Sequence, residues 1–309
     1  MVLNKVLTNA YEDIFLHIAL NLTAEDLANT GRVSKDTGLP RDGRRESLTN
    51  EAAGYLLRRT ATEYERSVIE HGNIHSAVTM LRELERFRVP LEFERVSGVT
   101  MEYTEYATRA GITTERNDDN WAVATTYSVM KRGKHYAVFR IKGDYYNQEY
   151  MGDVNVGVTR SLEGWRGKGI WPGGCFDPVH YGSPSRRIVP NQPTEGELEL
   201  ESMWSLIATR RTERWGSGNV HCCAYNYEEG DCVWSDWIND KVSANWEGMD
   251  RLNGEGEIGL LLDLDEGTLT VYMNGTRLGI MKDGLTGEYC WYTGIANGAA
   301  VYIERKTPP

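Results

Sequence analysis

Residues 258–281 constrain the fold more than any other stretch of the chain. Leu260, Leu262 and Leu264 occupy alternate positions, so on an extended backbone they share one face. Asp265-Glu266-Gly267 then supplies turn chemistry, and Leu269, Val271 and Met273 alternate again on the far side. Asn274-Gly275 follows, a pair in which both residues tolerate the positive φ of a type I′ hairpin turn. The pattern predicts three antiparallel strands in a meander, with the aliphatic side chains directed at a core. Gly254-Glu255-Gly256-Glu257-Ile258-Gly259 just before it satisfies a bare dinucleotide fingerprint. A strand rather than a helix follows, and two glutamates stand where a pyrophosphate would approach, so it reads as a tight turn.

The same period of two recurs from about Pro90 onward. Val154, Val156 and Val158 alternate with Asn155, Gly157 and Thr159, which places the valines on one face of a strand. Leu198, Leu200, Trp204 and Leu206 alternate in a similar way with Glu197, Glu199 and Glu201. Further strands are expected over 121–129, 135–141, 219–226, 291–296 and 300–304. Many short strands without intervening helices mean a sandwich or barrel. Residues 164–193 stand apart, holding five prolines together with Trp165, Ile170, Trp171, Phe176 and Tyr181. That aromatic content predicts a long ordered loop with apolar anchors rather than a linker.

The first ninety residues carry a helical period instead. Ile14, Phe15, Ile18 and Leu22 recur at helical spacing, and Thr23 with Asp26 three residues on forms a capping-box signature for a second helix. Residues 36–45 read as a loop. Asn50 is expected to cap a helix bearing Leu56, Leu57, Tyr64, Val68 and Ile69. A last stripe, Ala77, Val78, Leu81, Leu84 and Phe87, must stop before Pro90, because the residue preceding proline is pushed out of the α region. The expected organisation is a helical segment over 1–48, a helical linker or cap over 49–95 and a β-sandwich over 96–309.

Composition narrows the partners. The 309 residues include 45 carboxylates against 34 Lys and Arg, a net charge of −11. An acidic surface repels phosphate, which argues against nucleic acid and anionic membranes. The apolar runs fall far short of the roughly 20 residues that span a bilayer. No secretory leader is evident, so the expectation is an intracellular protein, cytoplasmic, nuclear or both. Five cysteines, an odd number, then read as free thiols packed as small hydrophobes.

Three stretches carry a resemblance to the SPRY family. Gly133-Lys134-His135-Tyr136-Ala137-Val138-Phe139 is similar to an early strand of that family, with Ala137 and Val138 where Trp and Glu are usual. Val156-Gly157-Val158-Thr159 resembles its next strand. Residues 258–275 resemble its most characteristic hairpin throughout, and Tyr289-Cys290-Trp291-Tyr292 with Val301-Tyr302-Ile303-Glu304 fits the closing strands. The resemblance covers roughly residues 100–305. It implies a mainly β fold, a bent antiparallel β-sandwich with a small α-helical N-terminal region, that binds proteins or peptides through its loops and has no catalytic residues and no cofactor. Exposed aromatics in long loops are enriched at binding hot spots. By position, Tyr145, Tyr146, Trp165, Trp171 and Trp215 are the target-binding candidates, and each could equally plug an end of the sandwich.

The N-terminal segment resembles an F-box. Residues 13–27, from Asp13 to Leu27, followed by Arg32-Val33-Ser34-Lys35, follow that family's two-helix pattern, with Ala10-Tyr11 in place of its opening Leu-Pro. The resemblance implies docking of a Skp-type adaptor of a cullin-type ubiquitin ligase through Ile14, Leu16, Ile18, Leu20, Leu22, Leu27 and Val33. The alternative is a plain helical hairpin. Together the two resemblances predict a substrate-recognition subunit. A SPRY binding module with no ligase role, and a carbohydrate-binding or glycoside-hydrolysing sandwich, remain open beside it.

Two other constellations were weighed. Asp263 and Asp265 lie two apart on one strand face, a spacing two glycosidase carboxylates could use; turn chemistry is the stronger reading. His221-Cys222-Cys223 with Cys232 offers zinc-ligand types, but adjacent residues on a strand face opposite ways and no C-x-x-C pair exists, so no metal site is expected. The six histidines are scattered, and no nucleophile motif appears.

Overall fold

Capping chemistry sets the helices of the N-terminal unit. The computed structural model describes residues 14–40, 46–69, 76–97, 101–104, 107–115, 121–142, 153–161, 178–179, 215, 217–237 and 242–309. The chain divides into two units, Met1–Val89 and Pro90–Pro309. In the first, α1 spans residues 14–19. It is followed by α2 (Ala24–Val33), α3 (Lys35–Gly38), α4 (Leu48–Thr60), α5 (Glu63–Ile69) and α6 (Ala77–Arg88). The Thr23 hydroxyl accepts from the Asp26 N–H at 3.1 Å while the Asp26 carboxylate accepts from the Thr23 N–H at 3.0 Å, so the expected capping box opens α2.

Three local expectations are corrected. Part of the loop expected over 36–45 is α3, a single turn held by the Thr37 hydroxyl, which donates to the carbonyls of Thr30 and Ser34. Asn50 does not cap α4: Ser47 does, accepting from the Asn50 N–H at 3.3 Å. The Asn50 side chain serves another helix, its Oδ1 accepting from the Ser76 hydroxyl at 3.1 Å and the Val78 N–H at 3.4 Å at the start of α6. The helix expected to run on to Ile69 breaks at Ala61-Thr62. Thr62 and Glu65 cap α5 reciprocally, Glu65 N–H to the Thr62 hydroxyl at 3.1 Å and Thr62 N–H to the Glu65 carboxylate at 2.7 Å. The signal, Thr-x-x-Glu, is present in the sequence.

One apolar cluster joins these helices. Phe15 and Ala19 of α1 and Leu27 of α2 pack with Leu48, Leu56 and Leu57 of α4 and Leu81 and Leu84 of α6. The buried face of α1 is therefore Phe15 and Ala19, not the Ile14 and Ile18 of the expected stripe. Arg88 binds Glu65 with two nitrogens, at 2.7 and 2.9 Å, and holds that carboxyl down at about 2.

Among its described residues the second unit contains fourteen strands: β1 (Phe93–Ser97), β2 (Glu102–Tyr103), β3 (Gly111–Thr113), β4 (Ala122–Thr126), β5 (Lys134–Lys142), β6 (Val154–Arg160), β7 (Cys222–Asn226), β8 (Cys232–Ser235), β9 (Val242–Ala244), β10 (Gly256–Asp263), β11 (Thr268–Met273), β12 (Thr276–Lys282), β13 (Tyr289–Ile295) and β14 (Ala300–Arg305). They form two antiparallel sheets of seven, ordered β1-β4-β13-β6-β7-β8-β9 and β12-β11-β10-β5-β14-β3-β2. The meander expected over 258–281 is β10-β11-β12, with Leu260 opposite Val271 and Leu262 opposite Leu269. Asn274 and Gly275 hold φ of 49° and 82°, the positive values that their turn demands. The strand pattern over 197–206 lies outside the described residues.

The two sheets share one core. Val156, Val158, Tyr225 and Trp291 of the first meet Phe139, Leu260, Leu262, Val271 and Ile303 of the second. Phe139 and Trp291 touch edge to face, with ring centroids 6.0 Å apart. Each such side chain contributes about 1.5–3 kcal/mol by leaving water. The fold is thus mainly β, a two-sheet antiparallel sandwich with helices at the N-terminus.

The face of β6 opposite the valines is buried too. Asn155 and Thr159 are fully buried, as are Cys222, Ala224 and Tyr292 beside them. The inner strands β4, β6, β7 and β13 of the first sheet are buried on both faces. Asn155 is paired inside it: the Thr293 hydroxyl donates to the Asn155 carbonyl at 2.9 Å, and Asn226 Nδ2 donates to Asn155 Oδ1 at 3.3 Å. Gly157 belongs to this packing, because a Cβ there would lie 2.6 Å from the Ala224 Cα.

Candidate functional site

Arg160, the last residue of β6, and Trp215, beyond the long proline-rich stretch, meet. Arg160 lies over the Trp215 ring with its guanidinium carbon 3.7 Å from the centroid. Arg160 closes β6 opposite Tyr289, the first residue of β13, while His221 immediately precedes β7 and Trp237 follows β8. All five side chains therefore gather at one end of the first sheet.

Trp215 and residues 217–221 are held across that end by hydrogen bonds, several of them from backbone N–H groups. Trp215 N–H donates to the Asn219 side-chain oxygen at 2.8 Å, Ser217 N–H to the Thr286 hydroxyl at 2.7 Å, and Gly218 N–H to the Gly284 carbonyl at 3.0 Å. Asn219 takes a φ of 53°, which its side chain tolerates better than most. Arg160 N–H donates to the His221 carbonyl at 2.7 Å, and the Tyr289 hydroxyl donates to the Val220 carbonyl at 2.6 Å. Trp237 reaches outward, its indole N–H donating to the Pro178 carbonyl at 3.2 Å. A residue within the long proline-rich stretch is thereby tied to the sheet.

His221 sits inside this aromatic cluster. Its ring is 5.0 Å from Trp237 and 6.3 Å from Trp215, centroid to centroid. Nδ1 faces the Asn219 carbonyl at 3.3 Å, which makes it the protonated nitrogen, and Nε2 is buried with no hydrogen-bond partner. Burial pushes the ring's pKa down from 6.5 to about 4, and the Arg160 charge adds to the effect. The ring is neutral at physiological pH. A neutral, fully enclosed imidazole serves packing rather than proton transfer.

Of the target-binding candidates, Trp215 is the one described, and it is half-buried against the sandwich core. Tyr145, Tyr146, Trp165 and Trp171 lie outside the described residues, as does Cys175. Arg160, His221 and Trp237 were not expected at this site. No local pattern links residue 160 to 215, because the contact is made by the strand order rather than by spacing.

The N-terminal candidates separate into two sets. Leu27 is fully buried, and Leu16, Leu20 and Leu22 are half-buried against the helical core. Ile14, Ile18 and Val33 are turned to solvent, exposed by 60%, 56% and 85%. Ile14 and Ile18 are one turn apart and form an exposed stripe of α1 beside the buried stripe of Phe15 and Ala19, about 100° round the helix from it. Leu39, beyond α3, is exposed as well.

The carboxylate pair at the β10–β11 turn is engaged. Asp263 Oδ1 accepts from the N–H groups of Asp265 and Glu266, both at 3.1 Å, and Oδ2 meets the Lys134 ammonium at 3.1 Å. Asp265 accepts from the Gly133 N–H at 3.2 Å. These contacts fasten the turn to the start of β5 and leave neither residue posed as a nucleophile. Among the described residues no group of three or more His, Cys, Asp and Glu is placed to hold a metal ion, and no helix is long and apolar enough to cross a membrane.

No family model and no curated protein matches the chain. Among solved structures, the SPRY domain of human HERC1 is similar at 14% identity and a TM-score of 0.39, over 67% of this chain and 96% of that one. The PSpry domain of TRIM65 is similar at 13% identity and a TM-score of 0.39, over 73% of this chain and 94% of that one. The carbohydrate-binding module CBM66 from Bacillus subtilis is similar at 8% identity and a TM-score of 0.36, over 69% of this chain and 94% of that one.

Proposed function

We propose that the chain is a non-enzymatic protein-recognition molecule, a substrate receptor in which the sandwich captures a protein or peptide target while the N-terminal helices dock a Skp-type adaptor of a cullin-type ubiquitin ligase. One observation carries the second half. Helix α1 carries two apolar stripes side by side, Phe15 and Ala19 supplying the core while Ile14 and Ile18 stand in water. A short surface helix needs one apolar stripe; a second stripe calls for a second partner. Val33 extends that exposed apolar set, and these three residues are the adaptor contacts in this reading. Leu27 holds the helices together instead. The first half is supported by the resemblance of residues 258–275 to the SPRY hairpin and by the sandwich end at Arg160, Trp215 and Trp237, from which the long aromatic stretch departs.

The test is affinity purification of the tagged full chain with mass spectrometry, beside an Ile14→Asp/Ile18→Asp variant. The expected result is a Skp-type adaptor recovered with the wild type and lost from the variant, with the remaining partners unchanged. Partners unchanged and no adaptor in either sample leaves a binding module without ligase attachment.

A further inference from the structure

Four of the five cysteines lie among the described residues, and all four are buried thiols. Two of them meet. Cys223 of β7 and Cys232 of β8 place their sulfurs 3.7 Å apart. The register sets Cys223 opposite Trp234 and Tyr225 opposite Cys232, so the two cysteines are diagonal neighbours on the core-facing side of the hairpin. The right-handed twist of paired strands shortens one diagonal of each such square. Cys222 points to the other face. Cys290 is engaged elsewhere, its thiol donating to the Thr159 carbonyl at 3.5 Å.

We infer that Cys223 and Cys232 form an oxidisable dithiol that closes to a cross-strand disulfide and staples the β7–β8 hairpin when the protein meets a peroxide. Closing from 3.7 Å to a bond of about 2 Å brings the sulfurs together by roughly 1.7 Å, through side-chain rotation together with a small movement of the two strands that draws the diagonal pair to disulfide spacing. The chemistry balances with hydrogen peroxide as oxidant, a molecule small enough to enter a protein interior. One thiol loses its proton and its sulfur attacks a peroxide oxygen; the S–O bond forms, the O–O bond breaks, and hydroxide takes up the proton as water. The second sulfur then attacks the sulfenic sulfur; the S–S bond forms, the S–O bond breaks, and the departing oxygen leaves with the thiol proton as a second water. Two electrons pass from sulfur to peroxide.

Burial sets the rate. It raises the Cys223 thiol well above its ordinary value, so little thiolate is present at neutral pH and closure accelerates as pH rises. The bond would enclose residues 224–231, which already hold a tight turn through Asn226 N–H to the Asp231 carbonyl at 3.0 Å and Gly230 N–H to the Asn226 carbonyl at 2.9 Å. The hairpin it would fix carries both His221 and Trp237 at its open end, with their rings 5.0 Å apart.

The full chain is incubated with hydrogen peroxide at mildly alkaline pH, unfolded in an alkylating agent and cleaved after glutamate without reduction. Glu228 and Glu229 lie between the two cysteines, so cleavage separates them unless a disulfide joins the fragments. The expected result is a linked pair that a phosphine reductant splits, with free thiols falling from five to three. Fragment-ion spectra of the wild type assign the link to Cys223 or Cys222 without any variant, and Cys222→Ser should keep it. No linked pair, a link through Cys222, or sulfinic acid in its place overturns the inference.

Discussion

Arg160 and Trp215 bracket the long proline-rich stretch of the chain and close on each other, cation over ring at 3.7 Å. The contact gives Trp215 a packing duty, since its indole also meets the edge of Tyr289 with centroids 6.5 Å apart and lies against Gly287. Trp215→Ala should therefore cost about 3 kcal/mol of stability, and Arg160→Gln about 1 kcal/mol for the lost stacking. Chemical denaturation of both variants reads these values. A Trp215→Ala protein as stable as wild type would return that residue to the role of a pure ligand contact.

Acid should weaken the sandwich from a specific place. His221 and His135 both titrate near 4 when folded, down from 6.5, chiefly because burial disfavours the imidazolium. The unfolded chain takes up protons at higher pH than the folded one, so this stability is fully present above 6.5 and is lost as pH falls towards 4. Asp236 opposes the shift at His221 and Arg160 reinforces it. Glu65 adds a second loss in the same direction between 4.5 and about 2, in the helical unit, as its pairing with Arg88 is neutralised. His221→Phe keeps the ring volume and removes the titration. Melting temperature against pH should then flatten between 6.5 and 4 relative to wild type, by an amount on the order of 2 kcal/mol. An unchanged slope would show that His221 is not the group that responds.

Asp263 gives a sharp contrast between two substitutions. Asn keeps an oxygen for the N–H groups of Asp265 and Glu266 and gives up the half-exposed Lys134 contact, so Asp263→Asn should cost under about 1 kcal/mol. Asp263→Ala leaves both N–H groups without their acceptor and should cost about 1–3 kcal/mol. Reducing-sugar assays should show no release from wild type or either variant. Release abolished by Asp263→Asn would replace the recognition reading with a hydrolytic one.

Asn50 links two helices through one side chain, so Asn50→Ala should cost about 1 kcal/mol, the worth of an N-cap. The loss should be felt at the start of α6, where Ser76 makes no side-chain cap of its own. Hydrogen exchange at Val78 and its neighbours reports it directly. Loss confined to α4 would contradict the long-range role.

What was legible in the sequence follows the range of the interaction. The β10-β11-β12 meander is written in local alternation and in Asn274-Gly275, so its register could be read before any partner strand was known. The Thr23–Asp26 box is equally local. Asn50 and Asn155 show the other side. Asn50 reads locally as a cap and Asn155 only as an alternate of the valines, and both are spent on partners that the fold brings from elsewhere. Helical spacing marks Ile14, Phe15 and Ile18 as apolar together, and it cannot say which of two adjacent stripes the core covers. The Arg160–Trp215 end of the sandwich had no local signature at all.

The account turns on what covers the outward stripe of α1. Titration calorimetry of the full chain against a purified Skp-type adaptor measures this most directly, with the Ile14→Asp/Ile18→Asp variant as the paired sample and circular dichroism to show that its helices persist. Saturable one-to-one binding by the wild type, weakened at least 100-fold in a folded variant, is the predicted result. No binding by the wild type, or equal binding by both, would contradict the ligase-receptor account.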